Sequence, residues 1–303
     1  MPSPKTSPDE RMMVFDLVRS EVAAGTFRGP SEFLRRHRGE LPLPAKETIR
    51  RWSLDANSPY TGRNLFDGSP SPELSFFVGA WIGDGWADDN DGGKRLRLKV
   101  KSRDFAEEFA RCASVVLKKG RPYRVWTTVD EGGTWYNAKV TSVDLYEFVD
   151  RDLVSIEPIV GRHPKSFLRG LYTAEGNPSV SVWRRNGPGL SAGVEVANTD
   201  VQLLELARKY LLELGFSPGR LRLGNRQGTK TGFGRATKDC WIMNLSRQSD
   251  VRRFLTEIGF ADPNKQSKLT EASESLDELG PQEAARLWLN SHEKLGKRWS
   301  KKR

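Results

Sequence analysis

Two acidic residues, Asp84 and Glu175, each close a short apolar segment, and each stands directly before a glycine. The first segment reads Ser71-Pro72-Glu73-Leu74-Ser75-Phe76-Phe77-Val78-Gly79-Ala80-Trp81-Ile82-Gly83-Asp84-Gly85. The second reads His163-Pro164-Lys165-Ser166-Phe167-Leu168-Arg169-Gly170-Leu171-Tyr172-Thr173-Ala174-Glu175-Gly176. Aligning the acids sets Gly79 against Gly170, Gly83 against Ala174 and Gly85 against Gly176. A carboxylate at a helix C-terminus faces the negative end of the macrodipole, which costs roughly 0.3–1 kcal/mol. Two such charges brought together make sense if cations sit between them. Mg²⁺ takes carboxylates, carbonyls, water and phosphate oxygens, and paired ions suit cleavage of phosphodiesters. One acid alone would read as a turn cap; two matched copies point to chemistry.

The elements that must position these acids repeat as well. Ser71 fits a helix N-cap, Pro72 the first helical position and Gly85 a left-handed stop. Gly79 and Gly83 are poor helix formers, by about 1 kcal/mol each. Gly79, Gly83, Gly170 and Ala174 therefore predict close packing of the two helices. After the first helix, Leu96-Arg97-Leu98-Lys99-Val100-Lys101 alternates apolar and basic residues, a strand with one basic face. A helix from about Asp104, with Glu107 completing a capping box, strands near Tyr123–Val129 and Trp135–Thr141, and a helix near Asp144–Val149 follow. After the second come strands near Ser179–Trp183 and Val194–Asn198 and a helix from Asp200 to Leu214. The alternating Arg220-Leu221-Arg222-Leu223, a strand at Trp241–Leu245 and a helix at Asp250–Ile258 complete it. The shared order is helix, two strands, helix, two strands, helix: an α+β molecule of tandem pseudo-twofold αββαββα repeats.

The chain has 303 residues, with 49 Lys+Arg against 39 Asp+Glu and a net charge of +10. Residues 73–260 hold +6 of that excess, so the basic character is not confined to a tail. Such a balance predicts a polyanionic partner. No apolar run approaches a membrane span, and the polar start Met1–Glu10 does not read as a secretory signal, so a cytoplasmic protein is expected. Two cysteines, Cys112 and Cys240, exclude a disulfide framework or a cysteine-based zinc site. Three scattered histidines, His37, His163 and His292, argue against a histidine-based metal hydrolase.

Phe77-Val78-Gly79-Ala80-Trp81-Ile82-Gly83-Asp84-Gly85 and Leu168-Arg169-Gly170-Leu171-Tyr172-Thr173-Ala174-Glu175-Gly176 resemble the two signature helices of single-chain LAGLIDADG homing endonucleases, most nearly the archaeal intron-encoded ones. The resemblance covers about residues 73–260. It implies a saddle of two four-stranded sheets in the DNA major groove, with Asp84 and Glu175 binding two or three Mg²⁺ ions (Mn²⁺ substituting) under the minor groove. The Gly83 and Ala174 carbonyls become further ligands. It implies site-specific double-strand cleavage with four-base 3′ extensions, promoting mobility of a host intron. The partner is double-stranded DNA with a long site; the protein acts as a monomer. An RNA maturase bound to intron RNA, or a DNA-binding regulator without cleavage, remain open on the same scaffold. Arg97, Lys99, Lys101, Arg220 and Arg222 suit DNA contacts by their alternation, with Arg124 and Lys139 on the following strands. The family's auxiliary Gln and basic residue are missing from their places here, leaving Lys101 and Asn198, at matching strand ends, as catalytic candidates.

The flanks read separately. Residues 1–60 form a helical unit: Ser7-Pro8-Asp9-Glu10 starts a helix over Arg11–Ala24, and Ser31–His37 and Lys46–Trp52 follow. The last two resemble a helix-turn-helix with a long turn, the second helix carrying Lys46, Thr48, Arg50 and Arg51. Asn57–Pro70 is loop-rich, giving a linker at 61–72. The halves are expected at 73–160 and 161–260, and a C-terminal extension at 261–303. There Leu269–Leu289 predicts one or two helices, and Lys294–Arg303 a disordered basic tail.

Overall fold

The structure is a computed structural model that describes residues 8–54, 66–88, 94–183, 187–231, 234–295 and 298–302. It divides into two units, residues 1–65 and 66–303. No helix among the described residues is long and apolar enough to cross a membrane.

The first unit holds helices α1 (Pro8–Ala23), α2 (Pro30–Arg36) and α3 (Lys46–Ser53). Val14, Phe15, Val18, Phe33, Ile49 and Trp52 form its own core, with the Phe15 and Trp52 rings edge to face at 5.5 Å. Glu21 gathers Arg36, at 2.6 Å, and His37, at 3.1 Å, tying α1 to the end of α2. Ser7, expected as the N-cap of α1, and residues 57–65 of the expected linker lie outside the described residues.

The second unit is built from two copies of one plan. The first runs α4 (Pro72–Asp84), β1 (Gly85–Asp88), β2 (Arg95–Val100), α5 (Arg103–Val116), β3 (Val125–Asp130), β4 (Gly133–Thr141) and α6 (Val143–Val149). A connecting helix, α7 (Leu153–Val160), leads to the second. This runs α8 (Pro164–Ala174), β5 (Gly176–Trp183), β6 (Gly189–Asn198), α9 (Val201–Glu213), β7 (Arg222–Asn225), a short hairpin of β8 (Lys230–Thr231) and β9 (Gly234–Arg235), β10 (Cys240–Leu245) and α10 (Gln248–Glu257). The antiparallel sheets have orders β1-β2-β4-β3 and β5-β6-β10-β7. Register matches too: Gly85 faces Leu98 as Gly176 faces Val196. The sequence pattern omits β1, too short to alternate visibly, and α7, whose internal Pro158 disguises it.

Local rules fix the helix starts. Ser71 accepts from Leu74 N at 3.1 Å, with Pro72 next, as expected. Helix α5 starts one residue before the expected Asp104, because Ser102 caps it through Phe105 N at 3.4 Å. Glu107 makes no capping box; it pairs with Arg103 at 2.7 Å. Asp200 caps α9 through Gln202 N, at 2.9 Å, and Leu203 N, at 3.2 Å.

The left-handed stop expected at Gly85 is absent: its φ is −85° and it opens β1. Glycine is needed there because a Cβ would lie 2.6 Å from Trp81 O. At Gly176 it would overlap Tyr172 O in the same way. In both places the strand doubles back against the helix's last turn.

The C-terminal extension forms α11 (Pro263–Ser291), kinked where Gly280 adopts φ 71° before Pro281. The expected disordered tail is instead an antiparallel hairpin of β11 (His292–Leu295) and β12 (Arg298–Lys301) as far as the described residues extend. Backbone pairing accounts for it, with His292 opposite Lys301. His292, buried, stacks on Trp288 at 3.8 Å and anchors the first strand.

Candidate metal centre and nucleic-acid interface

Helices α4 and α8 touch backbone to backbone. A Cβ on Gly79 would overlap Phe167 O and lie 3.0 Å from Leu171 N. A Cβ on Gly170 would overlap Phe76 O and lie 2.8 Å from Ala80 N. Under the alignment of the acids these contacts are reciprocal: each glycine meets the other helix's equivalents of its own neighbours. That reciprocity is the mark of a twofold interface, here within one chain. One turn on, a Cβ on Gly83 would overlap that of Ala174 and lie 3.1 Å from Glu175 Cγ. The four small residues sit where their sizes require.

The seam therefore ends with Asp84 and Glu175 as neighbours. Burial pushes both carboxyls up, and the charge of Asp84 adds to the rise at Glu175, which reaches about 7. Lys265, from α11, lowers both in turn. Asn198 Nδ2 donates to Glu175 Oε1 at 2.9 Å and also opposes the rise. Two partly buried acids with incompletely offset repulsion are a site that favours a cation.

Divalent metal fits the donor set. Carboxylate and carbonyl oxygens are hard ligands, and no group of three or more His, Cys, Asp or Glu side chains closes a cage among the described residues. Two carboxylates and a carbonyl would leave positions on a hard divalent ion for water and phosphate. The Gly83 carbonyl precedes Asp84 as expected. The Ala174 carbonyl, also expected as a ligand, accepts a hydrogen bond from Lys265 Nζ at 3.2 Å.

Asn198 and Lys101 are not equivalents. The sheet registers and the caps Ser102 and Asp200 make Val100 the counterpart of Asn198. Lys101 is one residue further on, and in extended chain one residue reverses the face. It leaves the acid pair and lies over the Trp135 ring at 4.9 Å.

The outward face of the first sheet is charged. Arg95, Arg97 and Lys99 are half-exposed while Leu96, Leu98 and Val100 are buried. Exposed Lys139 pairs across from Arg97, and Asn137 from Lys99. Two acids join them: Asp88 meets Arg97 at 2.6 Å, and Asp130 meets Lys99 at 3.0 Å. Arg124 is exposed just before β3. On the second sheet Asn177, Ser179, Ser181 and Trp183 are exposed along β5, opposite Glu195, Gly193, Ser191 and Gly189. Arg222 is paired with Glu195 at 2.9 Å, and exposed Arg220 precedes β7 rather than lying on it. The acids Asp88, Asp130 and Glu195 and the site lysine Lys265 escaped the sequence reading. The helix-start signal Asp262-Pro263 marks the turn that carries Lys265, but its contact with α8 is long-range.

A model of the LAGLIDADG-like domain matches residues 71–151 and 163–259. An uncharacterized protein of Methanocaldococcus jannaschii, MJ0398, is 25% identical over 240 residues, 77% of this chain and 83% of that protein. The crystal structure of I-DmoI in complex with DNA and Ca is similar with a TM-score of 0.47 and 18% identity, over 66% of this chain and 97% of that one. The LAGLIDADG meganuclease I-AabMI bound to uncleaved DNA gives 0.46 and 10%, over 71% and 96%. With a family model matching both halves of the duplicated fold, the chain belongs to the LAGLIDADG-like domain family.

Proposed function

We propose that this protein is a monomeric, site-specific double-strand DNA endonuclease that uses Mg²⁺ and leaves four-base 3′ extensions, serving the mobility of its host intron. The observation that carries the reading is the meeting of Asp84 and Glu175 at the ends of duplicated helices, where burial and mutual repulsion oppose them. The two carboxylates and the Gly83 carbonyl are the residues that would hold the ion. When bound, the ion supplies Lewis acidity at the scissile phosphate and lowers the pKa of the attacking water. Asn198 fixes the rotation of the Glu175 carboxylate through Oε1. Glu175 must be ionised to act as a ligand, so metal affinity is expected to rise with pH as this carboxyl, raised to about 7 in the metal-free fold, loses its proton.

Arg95, Arg97, Lys99, Lys101 and Lys139 suit phosphate and base-edge contacts in a major groove. The first unit reads as an accessory DNA contact, with α3 offering Lys46, Arg50 and Arg51 around the buried Ile49 and Trp52. The test is incubation with Mg²⁺ and the uninterrupted form of the gene that hosts this reading frame. One double-strand cut at the junction, with four-base 3′ ends, supports the proposal. Splicing of the intron RNA without DNA cleavage contradicts it and identifies RNA as the partner.

A further inference from the structure

Lys265 lies beyond the residues that the family model matches, in the first turn of α11. Its Nζ donates to Thr173 O at 2.6 Å and to Ala174 O at 3.2 Å. The last carbonyls of a helix lack intrahelical partners and carry the negative end of its dipole, so an ammonium is favoured there. Its approach is set by neighbours: Asp262 caps α11 through Asn264 N at 2.9 Å, and Ala261 N donates to Thr173 Oγ1 at 2.9 Å. The first half has no matching extension. There the chain turns into α7, whose Val160 carbonyl accepts from Ser75 near the start of α4, at 3.0 Å, away from the acid.

Resting on the reading of the acid pair as a divalent-ion site, we propose that Lys265 is a built-in cation of that site, occupying the carbonyl edge of the second helix and restricting how tightly the pair takes divalent ions. Once both are ionised, two carboxylates alone present a charge of about −2; with the ammonium beside them an incoming ion meets about −1 and a like charge at close range. It also finds Ala174 O already engaged. The site is thus unequal: the ammonium is hydrogen-bonded to the carbonyl edge of the second helix, at Thr173 O and Ala174 O.

Calorimetric titration of the full-length protein with Ca²⁺ tests this. Lys265→Met removes the ammonium and keeps most of the stem. Lys265→Gln keeps a donor for the carbonyls, and so provides the same comparison if methionine impairs folding. Either is expected to bind Ca²⁺ about tenfold more tightly than the wild type, or to take up an additional ion. Lys265→Arg, which keeps the charge, should stay within about threefold. Binding by the Met and Gln variants no tighter than wild type, with no added ion, overturns the proposal. The Asp84→Asn/Glu175→Gln variant checks the underlying reading separately. If it retains the wild-type Ca²⁺ site, the acid pair is not the metal centre, whatever the lysine variants do.

Discussion

The two sheets share strand order and the register of their first hairpins, yet their outward faces differ in chemistry. The first presents Arg95, Arg97, Lys99 and Lys139, partly held by Asp88 and Asp130. The second presents Asn177, Ser179 and Ser181 beside Gly193 and Ser191, with Ser181 and Ser191 hydroxyls 2.7 Å apart. Arg222 and Glu195 there cancel each other. Along the middle of the seam the halves instead match, Gly79 and Gly170 making reciprocal contacts. Backbone contact leaves no freedom at Gly79 and Gly170, whereas an outward side chain on a strand is free to vary. The two copies thus agree where packing demands it and differ at outward positions that packing leaves free. A charged face contributes salt-dependent affinity; a neutral face of small hydrogen-bonding groups permits close approach with little electrostatic gain.

The largest expected effects test the equality. Gly79→Ala and Gly170→Ala each force a methyl into a main-chain carbonyl of the other helix, and each should cost about 3 kcal/mol or more in urea unfolding. Losses that agree within about 1 kcal/mol support the internal twofold; a large loss at one and none at the other breaks it.

The acids come next. Glu175 is raised from 4.5 to about 7 in the fold. Between those values the native state holds a proton that the unfolded chain has released. Stability therefore falls as pH rises from 4.5 to 7 and levels above, by an amount on the order of 3 kcal/mol at most. Glu175→Gln should flatten that slope and raise the melting temperature at pH 8 in the absence of divalent ions. An unchanged slope would mean that burial does not act on this carboxyl.

The sheets should respond unequally. Lys139→Ala, exposed and opposite Arg97, is expected to weaken DNA binding about tenfold and to lower the salt slope by about 1. Ser179→Ala should leave that slope unchanged. Equal slopes for both variants would erase the distinction between the faces. The smallest effect compares equivalent helix starts: Ser102→Ala and Asp200→Ala should each lose about 1 kcal/mol, with the larger loss at Asp200, which caps two N–H groups.

Much of this was legible in the chain because helix periodicity, caps and the placing of small residues are local signals. The matched Gly79 and Gly170, and the acids that follow them, announced both the duplication and the seam. Strand ends are weakly marked in sequence, so Lys101 stands one residue away from the true counterpart of Asn198, Val100, and a slip of one residue reverses a side chain. The glycines after the acids are required for a different reason from a left-handed stop: the chain leaves the helix extended, so a Cβ would meet the carbonyl four residues back, Trp81 O or Tyr172 O. Lys265 depends on where α11 docks, which no periodicity encodes. The acids Asp88 and Asp130 likewise find their basic partners only once strands are paired.

The most direct test sets the wild type beside Asp84→Asn/Glu175→Gln on one DNA, selected by binding from a random double-stranded library. The account predicts Mg²⁺-dependent cutting of both strands by the wild type, and equal binding without cutting by the variant. Undiminished cutting by the variant would contradict it.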